Sequence, residues 1–120
     1  MTTIEAQDAP DAQLSTDEPI HVDGADDLDA LVAEHDVVLA DFYADWCGPC
    51  KALEPIVANI AADTETVVAK VDVDANQELA AEYGVRGVPT MALFADGEMA
   101  ERLVGLRDED TLRQLIDQHK

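Results

Sequence analysis

VVLADFYADWCGPCK, residues 37–51, joins an apolar run to the two cysteines of the chain, Cys47 and Cys50. Residues 37–43 are apolar at nearly every position, which is typical of a central strand covered by helices on both faces. Asp41 is the exception. After the cysteines, apolar side chains recur at helical spacing, so the pattern predicts a buried strand that leads directly into a helix.

The two cysteines are predicted to lie in the first turn of that helix. The free N–H groups and the positive end of the helix dipole there favour the thiolate form of Cys47. Cys50 follows three residues later, close enough to close a disulfide with Cys47. Gly48 allows the backbone of a partner to approach, and Pro49 fits the first turn because its missing N–H is not needed there. The spacing therefore predicts a nucleophilic thiol and a resolving thiol.

A metal site is the competing interpretation of the cysteine pair. A closed zinc site requires four ligands. Besides the cysteines, the chain offers His21, His35 and His119, and no two of them have the spacing of paired zinc ligands. This pattern disfavours zinc, and we expect no bound metal. A two-coordinate copper carrier and a pair of inert thiols remain as alternatives at this point.

Hydrophobic periodicity extends the fold outward from this segment. It predicts the order β-α-β-α-β-α-β-β-α, and therefore an α/β fold: a mixed sheet with helices on both faces and an antiparallel hairpin at one edge. The predicted elements are a strand over 20–22, a helix over 28–35, a strand over 37–43, a helix from the cysteines through Pro55 to Ile60, a strand over 66–73, a helix over 79–83 ended by Gly84, strands 90–95 and 99–104 around Asp96-Gly97, and a helix capped by Asp108.

WCGPCK after the apolar strand resembles the thioredoxin family, and the resemblance extends over residues 19–120. It implies a thioredoxin fold with a cis peptide bond before Pro89. Two further parts of the chain carry the resemblance, namely residues 84–90 (GVRGVPT), and residues 96–98 (DGE) with 104–105 (VG).

The resemblance also implies residue roles. Cys47 would be the exposed nucleophile and Cys50 the buried resolving thiol. Asp41 would take the proton from Cys50; burial should raise its pKa, and Lys70 close by would oppose that rise. Pro89 would lie against the two sulfurs. The docking surface for substrates would be formed by Trp46, Gly48, Pro49, Gly87, Val88 and Gly105.

The implied activity is that of a protein-disulfide reductase acting by thiol–disulfide exchange. Its partners would be disulfide-containing proteins and a thioredoxin reductase that restores the dithiol. We expect a monomer with no cofactor beyond the redox-active disulfide Cys47–Cys50. A redox-inactive adaptor that uses the same fold to bind partners is the alternative, because fold alone does not determine function.

Charge limits the partners further. The 120 residues include 7 basic and 27 acidic side chains, which gives a net charge of −20. Nucleic acids and anionic membranes are therefore unsuitable partners, since both are bound through Lys and Arg. No apolar run approaches the roughly 20 residues of a membrane span, and the N-terminal residues do not have the pattern of a secretory signal, so we expect a cytoplasmic protein.

The acidity itself calls for an explanation. Residues 1–18 contain five acidic side chains and no Lys or Arg, and they are predicted to form a disordered acidic arm ahead of a domain over 19–120. A strongly acidic surface is typical of proteins from a cytoplasm at molar salt, where self-repulsion is screened. The sequence therefore predicts a halophilic source, with tuning for solubility in a non-halophile as the alternative.

Overall fold

The structure, a computed structural model, describes residues 16–120. Most of the predicted acidic arm, residues 1–15, lies outside the described residues. The described elements follow the predicted order. They are β1 (Ile20–His21), α1 (Ala25–Glu34), β2 (Val37–Tyr43), α2 (Gly48–Asp63), β3 (Val67–Asp72), α3 (Gln77–Glu82), β4 (Thr90–Ala95), β5 (Glu98–Val104) and α4 (Glu109–Gln118).

The five strands form one mixed sheet in the order β1-β3-β2-β4-β5. β3 runs parallel to both β1 and β2, whereas β4 is antiparallel to β2 and to β5. This arrangement confirms the predicted antiparallel hairpin at one edge. β1 is shorter than predicted, because only residues 20 and 21 pair as a strand, although the N–H of Val22 still donates to the carbonyl of Lys70 at 2.9 Å.

Helices cover both faces of the sheet. Phe42 of β2 packs on one face with α1 and α3, and Leu39 packs on the other face with α2 and α4. Because side chains alternate along a strand, Asp41 shares the face of Leu39. By the same alternation, Lys70 of β3 shares the face of Val68, which lies in the Leu39 cluster. Both charged side chains therefore point towards the layer that contains α2.

α2 begins beside the end of β2 and extends for 16 residues. Pro49 occupies its first turn, as predicted. Pro55 lies inside the helix, which nevertheless continues to Asp63 because apolar side chains beyond the proline remain buried against the sheet.

Two turns have the backbone geometry that their sequences predict. Asp96 and Gly97 have φ angles of 54° and 88°, and a two-residue turn with both central residues in this region matches the twist of a hairpin. Gly84, which follows α3, has a φ of 67° and so ends that helix in the left-handed conformation. Within residues 16–120, no helix is long and apolar enough to cross a membrane.

Candidate active site

Cys47 and Cys50 form a disulfide at the start of α2, with their Cα atoms 5.2 Å apart. Cys47 is the N-cap residue and has extended backbone angles. The backbone N–H of Cys50 donates to Sγ of Cys47 at 3.1 Å. This N–H is one of the helix donors that have no partner within the helix, so the helix directs a donor at the outer sulfur. The same donor can stabilise negative charge on that sulfur after reduction.

Cys47 is less accessible than the sequence analysis expected. Only 4% of its surface is exposed, and 2% of that of Cys50. The expectation of an exposed nucleophile is therefore wrong for the disulfide-linked form. The reason is that Sγ of Cys47 is bonded to Cys50 and lies 3.6 Å from the carbonyl oxygen of Val88, while Ala44 packs against the pair.

The Val88–Pro89 peptide bond is cis, as the resemblance implied. Pro89 is buried, and its carbonyl accepts a hydrogen bond from the N–H of Gly105 at 2.8 Å. Thr90 donates through Oγ1 to the carbonyl of Gly87 at 2.7 Å. Three segments that are distant in sequence, 47–50, 87–90 and 105, are therefore linked around the disulfide. Val88, which precedes Pro89, packs against the cysteine pair.

Trp46 is exposed beside the disulfide, with 71% of its surface accessible. Its indole Nε1–H donates to Oδ2 of Asp74 at 2.9 Å. Asp74 was missed by the sequence analysis, because nothing in the pattern indicated that it would face Trp46 across 28 positions. Of the other residues expected to form the docking surface, Gly48, Pro49 and Gly87 are exposed, and Val88 and Gly105 are half-buried.

Asp41 is completely buried beside Lys70. The two residues are directly opposite each other on β2 and β3, and Nζ of Lys70 lies 3.6 Å from Oδ2 of Asp41. At that distance the contact is an ion pair rather than a hydrogen bond, and neither carboxylate oxygen has a hydrogen-bond partner among the described residues. Burial raises the pKa of Asp41 from 3.8 to about 6, Lys70 opposes the rise, and Glu54 adds to it.

The ammonium group of Lys70 has two further neighbours. Oε2 of Glu54 lies 3.8 Å from Nζ, and the centre of the Tyr43 ring lies 4.1 Å from it. Glu54 and Tyr43 were both missed by the sequence analysis. A signal for Glu54 was present, because it follows Cys50 by four residues and therefore lies on the same side of α2.

The three histidines lie in different parts of the structure. His21 is in β1, His35 follows α1, and His119 follows α4, where its Nε2 lies 3.0 Å from Oε2 of Glu101. Within residues 16–120, no group of three or more His, Cys, Asp or Glu side chains is arranged to hold a metal ion.

Comparisons with known proteins agree with this geometry. The thioredoxin family model matches residues 19–118. The chain is 42% identical over 101 residues to thioredoxin from Chlamydia caviae, covering 83% of this chain and 98% of that protein. It is also 42% identical over 85 residues to thioredoxin from Bacillus subtilis, covering 69% of this chain and 82% of that protein. Among solved structures, a variant thioredoxin from Halobacterium salinarum is 59% identical with a TM-score of 0.85, covering 89% of this chain and 95% of that one.

Proposed function

Since this chain belongs to the thioredoxin family and is a protein-disulfide reductase, we propose that Cys47 attacks the substrate disulfide and that Cys50 resolves the mixed disulfide. The observation that carries the assignment is the N–H of Cys50 directed at Sγ of Cys47. A donor at a helix N-terminus stabilises a thiolate, and the thiolate is the attacking species.

The exchange balances in two steps. The Cys47 thiolate bonds to one substrate sulfur while the substrate disulfide breaks, and the second substrate sulfur leaves as a thiolate that takes up a proton. Cys50 then loses its proton and bonds to Sγ of Cys47, which releases the first substrate sulfur. Two electrons pass from the dithiol to the substrate, and the Cys47–Cys50 disulfide results.

We propose Asp41 as the group that takes the proton from Cys50, through a bridging water. The pKa of Asp41, about 6, is close to neutral pH, and a general base is most effective when its pKa is close to the pH at which it works. Both of its oxygens are free of hydrogen bonds from the described residues and are therefore available to accept one. Lys70 would keep the pKa of Asp41 from rising further, so that the carboxylate is still ionised at pH 7.

The proposed docking surface surrounds the disulfide. Its exposed members, such as Trp46, would supply apolar contact, and Gly48 has no atom near the position of a missing Cβ, so an approaching backbone meets open space. An extended substrate would pair with the backbone of Val88 as an added strand. Pro89 would hold that segment against the sulfurs. The proposed docking set comprises Trp46, Gly48, Pro49, Gly87, Val88 and Gly105.

The partners and the setting are proposed on the same basis. A thioredoxin reductase would restore the dithiol, and the substrates would be proteins with accessible disulfides. We place the protein in the cytoplasm of a halophile, as a monomer. The net charge of −20 and the similarity to a Halobacterium salinarum thioredoxin support the halophilic source.

Reduction of insulin disulfides by the full chain, with dithiothreitol as electron donor, tests the residue roles. Cys47→Ser should abolish turnover. Cys50→Ser, reduced beforehand and mixed with insulin after the dithiothreitol has been removed, should accumulate a covalent mixed disulfide visible by mass spectrometry. Normal turnover by either variant would contradict the assignment. Absence of turnover by the unaltered protein would indicate an adaptor instead.

A second experiment tests the base. In single-turnover measurements, Asp41→Asn should slow the resolving step more than the first attack. Equal slowing of both steps would remove Asp41 as the base for Cys50.

A further inference from the structure

Lys70 lies between two carboxylates that differ greatly in exposure. Its Nζ is 3.6 Å from Oδ2 of Asp41 and 3.8 Å from Oε2 of Glu54. The Asp41 side chain is 0% exposed, whereas that of Glu54 is 58% exposed. The three groups therefore form a row that begins at the solvent and ends at the buried carboxylate. Glu54 belongs to α2, one turn beyond Cys50, so it connects the helix of the cysteines to this row.

We propose that Glu54 is a positioning residue for the resolving step: it shares the ammonium group of Lys70 with Asp41, and its charge sets the pH range in which Asp41 accepts the proton of Cys50. This inference rests on the proposed role of Asp41 as the base. Glu54 itself need not touch the substrate or the reacting sulfurs.

The charges of Glu54, Lys70 and Asp41 explain why Glu54 should raise the pH at which Asp41 ionises. With Asp41 protonated, Glu54 and Lys70 cancel, and ionisation of Asp41 leaves the row with a net negative charge. Without the Glu54 charge, the same ionisation would leave the row neutral. Oδ2 of Asp41 and Oε2 of Glu54 lie 3.6 Å and 3.8 Å from the same nitrogen, so they can be no more than about 7.4 Å apart, which is close enough for direct repulsion. Glu54 should therefore make Asp41 harder to ionise, by an amount that water at the exposed end reduces.

The uncharged neighbours of Asp41 do not oppose its ionisation in this way. On β4, the residue opposite Asp41 is Met91, which carries no charge. On β2, the ring of Tyr43 lies against Lys70, and burial raises the pKa of its hydroxyl above 10, so it stays neutral in the relevant range. The charged groups that act on the Asp41 carboxyl are Lys70 on β3, which lowers its pKa, and Glu54 on α2, which raises it. Glu54 is therefore the carboxylate placed to oppose the ionisation of Asp41.

The test is the pH dependence of the resolving step in the full-length reduced protein at one fixed ionic strength. Single-turnover release of product thiol from a disulfide peptide gives the midpoint of the acid limb. Glu54→Gln and Glu54→Ala should each lower that midpoint by about 0.5 pH unit, which corresponds to roughly threefold faster release below it. Glu54→Asp, which keeps the charge, should restore most of the original midpoint. Glu98→Gln is the matched control, since it removes one exposed negative charge at the opposite end of the sheet.

A pH titration of the Asp41 carboxyl carbon by NMR measures the ionisation midpoint of Asp41 directly. A merely structural role of Glu54 would leave that midpoint unchanged. An unchanged or raised midpoint in both neutral variants overturns the inference. The role of Asp41 would survive that result if Asp41→Asn still abolished the acid limb. If Asp41→Asn left the limb in place, the proposed base and this inference would both be wrong.

Discussion

Replacement of Asp41 by Asn should stabilise the protein at alkaline pH and have little effect in acid. In the folded protein the pKa of Asp41 is about 6, above the ordinary value of 3.8. The folded state therefore holds this proton more tightly than the unfolded chain. The stability that results is fully present below about pH 4 and is lost as the pH rises through about 6.

The size of the effect follows from the difference of about two pKa units, each equivalent to about 1.4 kcal/mol. Ionisation of Asp41 should lower the free energy of unfolding by less than about 1 kcal/mol at pH 4 and by about 3 kcal/mol at pH 8. Asn cannot ionise, so the stability advantage of Asp41→Asn over the unaltered protein should grow by roughly 2 to 3 kcal/mol between these pH values. At pH 8 this corresponds to a melting temperature higher by about 10 °C.

Urea unfolding of the disulfide form, at a fixed concentration of KCl, measures this difference without interference from titrating thiols. Asp29→Asn is the matched control, because Asp29 is exposed in the middle of α1 and carries the same charge. Its effect on the free energy of unfolding should be small, as is usual for an exposed side chain. An Asp41→Asn variant whose advantage is the same at pH 4 and pH 8 would refute the claim that burial disfavours the carboxylate.

Three further predictions concern the rest of the molecule. The melting temperature should rise steeply from low salt to molar KCl, because the screening length falls from about 10 Å at 0.1 M to about 3 Å at 1 M; a melting temperature that does not respond to salt would contradict the halophilic source. Gly97→Ala should lower the free energy of unfolding in urea by about 1 kcal/mol. Gly97 has a φ of 88° and open space around it, so the cost is purely conformational. Gly48→Ala is the control: Gly48 is equally open but lies in a helix without a positive φ, so this change should not destabilise the protein. Asp108→Ala should lower the melting temperature by a few degrees, because the Asp108 side chain accepts the N–H of Thr111 at 2.8 Å, and Asp108→Asn should recover most of that loss if the cap is responsible.

The fold was readable from the sequence because its local signals agree with one another. The apolar run at 37–43 became the central strand with unchanged bounds, and Asp96-Gly97 became the turn of the edge hairpin. Signals of this kind depend on residues that are neighbours in sequence. The length of β1 was overestimated, because the bounds of so short a strand are set by its pairing with β3 rather than by its own sequence pattern.

The site was only partly readable, for the opposite reason. The cysteine pair and Asp41 stand out as exceptions within regular patterns. The burial of Cys47 depends on Val88, which lies 41 positions further along the chain. The contact between Glu54 and Lys70 depends on the direction of a long side chain between a helix and a strand. Such contacts are decided by tertiary packing, which no local pattern encodes.

The two outer strands of the sheet have a consequence for self-association. A protein that recruits extended peptides by strand addition risks recruiting copies of itself along any unprotected border of its sheet. Here one border is formed by β1, which is only two residues long and so has few free backbone groups with which another strand could pair. The other border, β5, carries Glu98, Glu101 and Arg102, and a bulge interrupts its register opposite Leu93 and Phe94. Both borders thus discourage strand pairing between copies of the chain, and the backbone of Val88 beside the sulfurs is where we propose that a substrate strand pairs.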